Sequence, residues 1–504
     1  MDHYMNGEMT VSFPAFRTPL ADKFIDAGVE LGHEVIDINN GLNIGFGDFP
    51  AFITEDGQRC NTSKAFLESA SDRDNLTVLT DALVTKINIE GKAAVGVQFM
   101  FNGKEEIVAG NKEVIVCCGA VGSPKILMLS GIGPKLHLEE LGIKCIADLP
   151  VGQNLQDHIG IQMKATTNPG CGVITHEALQ KNENNIRTSN MLESTAFIQT
   201  PLKEPDINWP EIQVKFMPTF YPYGLDEPEL HDLNSSKFSP LMGYDTPKEV
   251  RMRKEGVTFI PTLLHPKSKG EVRLRNTNPS TPPIINPHYL QSPDDVKVLT
   301  EGMRCVKRLS ETSALKQYGI HLLDVRMPES SHDPWSDENL EQYIRHFALT
   351  QSHPVGTCKM GAPSDKMAVV DPHLRVRGID RLRVVDSSVI PSVPSGGTLV
   401  PSIMIAEKAT DIIKEDEAIL QTQTVPTVPT VDLSNEATNS LANRHRHRSA
   451  EDVPEHLKMT PLWAKMSSCP DLLHTRPRSR STPPPMTMLA FTSIDEIPNP
   501  DPAE

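Results

Sequence analysis

Over residues 18–31 the apolar side chains Leu20, Phe24, Ala27 and Leu31 recur at helical spacing, which predicts a packed helix. Thr18 stands at its cap, Pro19 in its first turn and Gly32 just past its end, each a residue type that the position favours. From Leu76 the pattern changes to strand-like runs at 76–80, 84–89, 94–100, 106–109 and 114–118. Short turns carrying Gly91, Lys92, Asn102 and Gly103 join the middle three, which predicts an antiparallel meander. The last run, Val114-Ile-Val-Cys-Cys118, has no alternation at all and suits a strand covered on both faces in a parallel sheet.

That run ends at Gly119, and a helix is expected after it with Ser123 as cap and Pro124 at its first position. A strand that feeds a helix start through small residues offers outward-pointing amides to an anionic cofactor. A helix over 134–141 closes at Gly142, followed by a short apolar run at 145–149. Residues 159–346 are less regular and are read as a second, mixed domain, with a strand near 271–275 and an amphipathic helix over 294–310. Strand character returns at Leu382-Arg-Val-Val-Asp386, and a last helix is expected over 401–415. Beyond it lies a polar, Pro-rich tail that cannot bury enough apolar surface to order itself.

The length of 504 residues exceeds what one core usually organises, so two domains with extra segments are expected. A formal net charge of -16 argues against a nucleic-acid partner, because phosphate binding needs concentrated positive charge. No run approaches the roughly 18 apolar residues of a membrane span, and the start, with Asp2, His3 and Glu8, lacks a signal-peptide pattern. The compartment is left open. The eight cysteines show no paired spacing and are expected to be mostly buried thiols. In the tail, His445 and His447 in a basic patch read as solvated rather than metal-binding, and 478–485 can be a phosphorylated contact segment or inert. No internal repeat appears.

Four segments carry the chemistry. They are Gly119-Ala-Val-Gly-Ser-Pro-Lys-Ile-Leu-Met-Leu-Ser-Gly-Ile-Gly133, Leu149-Pro-Val-Gly-Gln-Asn-Leu-Gln-Asp-His158, His353-Pro-Val-Gly-Thr-Cys-Lys-Met-Gly361, and Arg381-Leu-Arg-Val-Val-Asp-Ser-Ser-Val-Ile-Pro391 leading into Ile403-Met-Ile-Ala-Glu-Lys408. In that order they resemble the glucose-methanol-choline flavoprotein family, with its choline dehydrogenase-like and glucose dehydrogenase-like members, over roughly residues 1–415. The resemblance implies FAD as cofactor and oxidation of the CH–OH group of an alcohol by hydride transfer to the flavin. Loss of the hydroxyl proton in that reaction needs a base near neutral pH, which a neutral imidazole supplies; the resemblance gives that role to His353. It also places Asp386 and Ser387 beside the ribityl and pyrophosphate, Gly119 and Thr398 at the cofactor, and the Val84 backbone at the adenine. Turn capping is another reading of Asp386, and plain strand packing by Val84 is equally compatible with the sequence.

Two departures from the family pattern stand out. The family opens with a strand, a Gly-x-Gly-x-x-Gly turn and a helix; here the match begins after that unit, and Gly45-Phe-Gly47-Asp-Phe-Pro50 does not replace it, lacking the third glycine. At Pro394-Ser-Gly-Gly-Thr-Leu-Val-Pro401, Gly397 occupies the position where the family carries an Asn or His partner of the catalytic histidine. The expected fold is therefore α/β: an incomplete Rossmann-like FAD domain with a β-meander over 1–158 and 359–415, a mixed α+β substrate domain over 159–358, and a disordered tail over 416–504. The expected function is FAD-dependent alcohol oxidation with an unspecified electron acceptor; the alternatives are an impaired relative acting as a binding or interaction protein, and a chain that does not fold alone.

Overall fold

A computed structural model describes residues 7–41, 43–54, 57–175, 189, 191–202, 209–219, 255–327 and 331–423. Two compact units divide the chain, Met1–Lys414 with Met486–Glu504, and Glu415–Pro485. Of the second unit, the described part is the end of the last helix, Leu399–Gln423. The tail expected beyond it, with His445, His447 and 478–485, lies outside the described residues.

The first helix forms as its pattern requires, over Pro19–Glu30 with Thr18 at the cap position. The Thr18 side chain does not cap it, however. Its Oγ1 and its N–H both donate to the buried carboxylate of Glu193. Phe24 from this helix stacks on Phe216 with ring centroids 5.1 Å apart and contacts Phe46 at 5.2 Å.

These aromatics belong to the core of a large antiparallel sheet. Its strands run in the order Gly45–Asp48, Ser194–Ile198, Ile212–Met217, Gly256–Leu263, Met163–Thr166, His321–Leu322, with Ile159–Gly160 and Leu349–Thr350 paired at the side of Gly256–Leu263. Successive strand side chains point to opposite faces. One face, with Ala196, Val214, Phe216 and Phe259, packs against Val296, Leu299, Met303 and Val306 of the helix Pro293–Ser310. The other face carries Thr195, Gln213, Lys215, Thr258 and Thr262, all buried as well. The apolar core thus places Leu20, Phe24 and Phe46 with residues 159–344 rather than with the meander.

A second core gathers the elements that read clearly from sequence. The meander forms as Ala82–Glu90, Ala93–Phe101 and Lys104–Ala109, antiparallel throughout. Val114–Val116 pairs in parallel with Leu382–Val384, and Val116 is buried while Val114 and Ile115 are half-buried. Residues 76–80, by contrast, form no strand.

The helix after Gly119 differs from the expectation in its start. It begins at Gly119 and runs to Leu129, so Ser123 is inside it and Pro124 is its sixth residue. Gly119 sits at φ +74°, a conformation glycine adopts freely, and this permits an abrupt entry without a cap residue. Pro124 has no N–H to give the Ala120 carbonyl four residues back; that carbonyl instead accepts the Thr357 hydroxyl at 2.6 Å, and both residues are buried. Thr357→Val keeps the shape and removes the donor, leaving a buried carbonyl unpaired. We expect a loss of about 1–3 kcal/mol, measured by denaturant unfolding; a loss near zero would show that another donor serves Ala120.

Candidate active site

The chain reaches the centre of the site through a tight turn. After the strand Leu349–Thr350, Ser352 adopts φ +59°, and the next N–H, that of His353, donates to Asp157 Oδ1 at 2.8 Å. The other oxygen of Asp157 accepts the hydroxyls of Tyr289 and Thr350. One buried carboxylate therefore ties the His353 backbone to the Tyr289 and Thr350 hydroxyls.

The imidazole of His353 is held by a second histidine. His353 Nδ1 lies 2.9 Å from His158 Nδ1, with the rings perpendicular and their centroids 5.1 Å apart. On the far side of His158, Nε2 lies 2.9 Å from the Pro394 carbonyl and 3.1 Å from that of Leu264. Carbonyl oxygens only accept, so His158 Nε2 carries the hydrogen and, in a neutral ring, Nδ1 is left bare. His353 must then donate from Nδ1, which leaves its Nε2 with a free lone pair. Both rings are held neutral. Burial, then the neighbouring imidazole and the Lys215 ammonium, pull His158 down to about 3, and burial followed by Lys215 pulls His353 down to about 4.

The free nitrogen faces Gly397. A Cβ built at residue 397 would sit 3.5 Å from His353 Nε2, in ordinary van der Waals contact. Pro394, three residues earlier, is the acceptor that fixes His158, so one segment both sets the tautomer and presents position 397. Thr398 follows, its carbonyl accepting from the N–H and hydroxyl of Ser402 as the last helix opens.

A second cluster forms around Asp386. Its Oδ2 accepts the Gly119 N–H at 3.0 Å and the Ser123 hydroxyl, and its Oδ1 accepts the Ser388 N–H at 2.7 Å. Asp386 thus caps the turn Ser387–Val389 while pinning the helix start at Gly119, the capping reading of this residue. The two clusters are continuous. The strand-like segment after His353 bonds Ser387 and Ser388 through Gly356 and Cys358, and Thr357 reaches Ala120. His353, Gly397, Thr398, Gly119, Asp386 and Ser387 therefore share one region. Val84 does not join them by hydrogen bonds: it pairs with Phe99 in the meander and packs on the second core.

Cys117 and Cys118 are solvent-accessible, which corrects the expectation of mostly buried thiols: among the seven described cysteines, only Cys60, Cys305 and Cys358 are buried. Burial by their surroundings nevertheless pushes Cys117 up to about 12 and Cys118 up to about 11, with Asp386 adding to both. Such thiols stay protonated and unreactive at neutral pH. Open space lies over Gly119, and Leu399, Val400 and Met404 are exposed where the last helix begins beside Gly397.

Sequence reading passed over His158, Asp157 and Lys215 as site residues. The first two stood within the motif ending Gln156-Asp-His158, so the signal was present. Lys215 lies in no motif, and only the sheet places it.

Two family models for GMC oxidoreductase match the chain, one over residues 1–160 and one over 266–406. An oxygen-dependent choline dehydrogenase of Pseudomonas fluorescens (strain SBW25) is 35% identical over 428 residues, 82% of this chain and 70% of that protein. The chain belongs to the GMC oxidoreductase family. An alcohol dehydrogenase [acceptor] of Pseudomonas putida is 33% identical over 426 residues, covering 82% of this chain and 71% of the relative. Among solved structures, a formate oxidase of Aspergillus oryzae RIB40 described for its FAD modification superposes with a TM-score of 0.70 at 25% identity, over 82% of this chain and 74% of that one. A pyridoxine 4-oxidase from Mesorbium loti gives 0.65 at 26%, over 81% and 72%.

The residues present fit the flavin of such GMC enzymes. Exposed Cys117 and Cys118, the open space over Gly119 and the exposed apolar residues at the start of the last helix leave room for a flat ring system, and His353 Nε2 faces Gly397 just before that helix. Among the described residues no group of three metal-ligating side chains occurs, and no helix is long and apolar enough to cross a membrane.

Proposed function

We propose that the protein is an FAD-dependent oxidoreductase that oxidises the CH–OH group of small alcohols, with His353 as general base. The cofactor half is built around the meander, Val114–Val116 and Leu382–Val384, and the large sheet covers the substrate. The observation that carries this reading is the lone pair left on His353 Nε2, facing Gly397, by the hydrogen-bond chain Pro394, His158, His353. FAD, when bound, supplies the two-electron acceptor for the hydrogen that leaves the carbinol carbon.

The chain's own residues do the rest. His353 takes the hydroxyl proton at Nε2, His158 fixes the ring that receives it, and Asp157 fixes the backbone that carries the ring. Position 397, where a polar partner would steady the substrate oxygen, offers only hydrogen. The named relatives add support, since they act on choline and on alcohols. A role as a binding protein alone is not favoured, because the paired histidines and their anchors are all kept. Oxygen and quinone-like acceptors are separated by turnover with each.

The pH profile tests this assignment. A base must be unprotonated, and His353 titrates at about 4 instead of near its ordinary value of 6.5. The rate of flavin reduction should therefore stay level from neutral pH down to about 5, then fall tenfold per unit below about 4. A limb centred near 6.5 would show that the acting base is a solvated group and not the buried His353.

A further inference from the structure

The buried polar face of the large sheet carries a charge that the reaction alone does not require. Lys215 lies in the middle of Ile212–Met217, opposite Thr195 and Ile260, on the buried polar face of the large sheet. It is 8% exposed. Its ammonium donates to Gln351 Oε1 at 2.9 Å, and the Gln351 N–H in turn donates to the His158 carbonyl at 2.9 Å, two residues before His353. Lys215 therefore borders the histidine pair, and its charge is felt by both rings.

An amide oxygen satisfies one hydrogen of an ammonium but does not neutralise it. The carboxylate nearest in effect is Asp157, and its oxygens already hold the His353 N–H and the Tyr289 and Thr350 hydroxyls. A buried charge without a full counter-charge is expensive and marks a place where a partner arrives. Burial holds Lys215 down to about 8, still protonated for the most part at neutral pH.

We propose that the alcohol carries an anionic group, a carboxylate or sulfonate, and that Lys215 selects it and rejects cationic alcohols. This rests on the reading that His353 acts on an alcohol, and it narrows the substrate class of that site. A quaternary ammonium alcohol bound at His353 would bring a second positive charge near Lys215, and like charges in a desolvated site repel. The chain thus departs in preference from the choline-oxidising relatives that it resembles.

The test uses three primary alcohols of similar size: 4-hydroxybutyrate, the neutral 3,3-dimethylbutan-1-ol, and choline. Flavin reduction by the intact protein should fall in that order in kcat/KM, by about tenfold or more at each change of charge. Lys215→Gln should collapse the differences, and Lys215→Arg should keep them. Choline equal to or better than the neutral alcohol, or an order unchanged in Lys215→Gln, would overturn the proposal while leaving alcohol oxidation standing. If none of the three reduces the flavin, the functional reading fails first, and calorimetric titration with 4-hydroxybutyrate decides Lys215 by itself. Binding weakened about tenfold in Lys215→Gln and kept in Lys215→Arg supports the selection; equal affinity in all forms, or no binding to the unaltered protein, ends it.

Discussion

His353→Asn lowers the rate of flavin reduction by alcohols by about 10²–10⁴-fold, the usual worth of a positioned general base. The exchange keeps a polar side chain of similar size and leaves the backbone N–H bond to Asp157 in place, so folding and cofactor binding should be retained. What is lost is the lone pair at Nε2 that the His158 contact enforces. The acid limb near pH 4 should disappear with it, since the group that titrates there is gone. A loss below tenfold with the limb intact would mean that the proton leaves by another route.

Gly397→Asn raises the same rate. A preorganised polar group aimed at the developing charge is worth about 3 kcal/mol, or roughly 10²-fold. The site accepts the side chain: a Cβ at 397 stands 3.5 Å from His353 Nε2, and the residue is not among those held at positive φ. Gly397→Ala is the control, because it adds the Cβ and no polar group. We expect a gain in the Asn form alone, measured by anaerobic mixing with a primary alcohol. Equal rates in the Asn and Ala forms would show that position 397 does not reach the reacting oxygen.

Legibility from sequence followed contiguity. The meander was readable because Gly91 and Asn102-Gly103 mark its turns, and the ladder observed starts and ends within two residues of the runs although its register shifts at Val84/Lys86 and Asn88/Ile89. The hydrogen-bonded cluster around Asp386 draws on residues that stand inside unbroken motifs. The helix at Gly119 was misjudged in its start because Pro124 looks like a first-turn proline; the Thr357 hydroxyl that excuses it comes from 237 positions away. No local rule can supply such a partner.

The same reason hid the histidine pair, whose members are 195 positions apart, and the large sheet. Strands such as Ile212–Met217 are buried on both faces, one apolar and one polar. Gln213 and Lys215 have polar side chains of the kind usually found facing solvent, yet both are buried. A functional lysine in such a strand has no signature of its own, and its role emerges only when register places it over Gln351.

The central claim is that this protein withdraws a pair of electrons from an alcohol onto FAD, with His353 accepting the proton. Mixing the flavin-loaded protein with saturating primary alcohol in the absence of oxygen tests it most directly. The visible band of the oxidised flavin should bleach, and far more slowly in His353→Asn. An oxidised band that persists in the unaltered protein with anionic, neutral and cationic alcohols alike would contradict it.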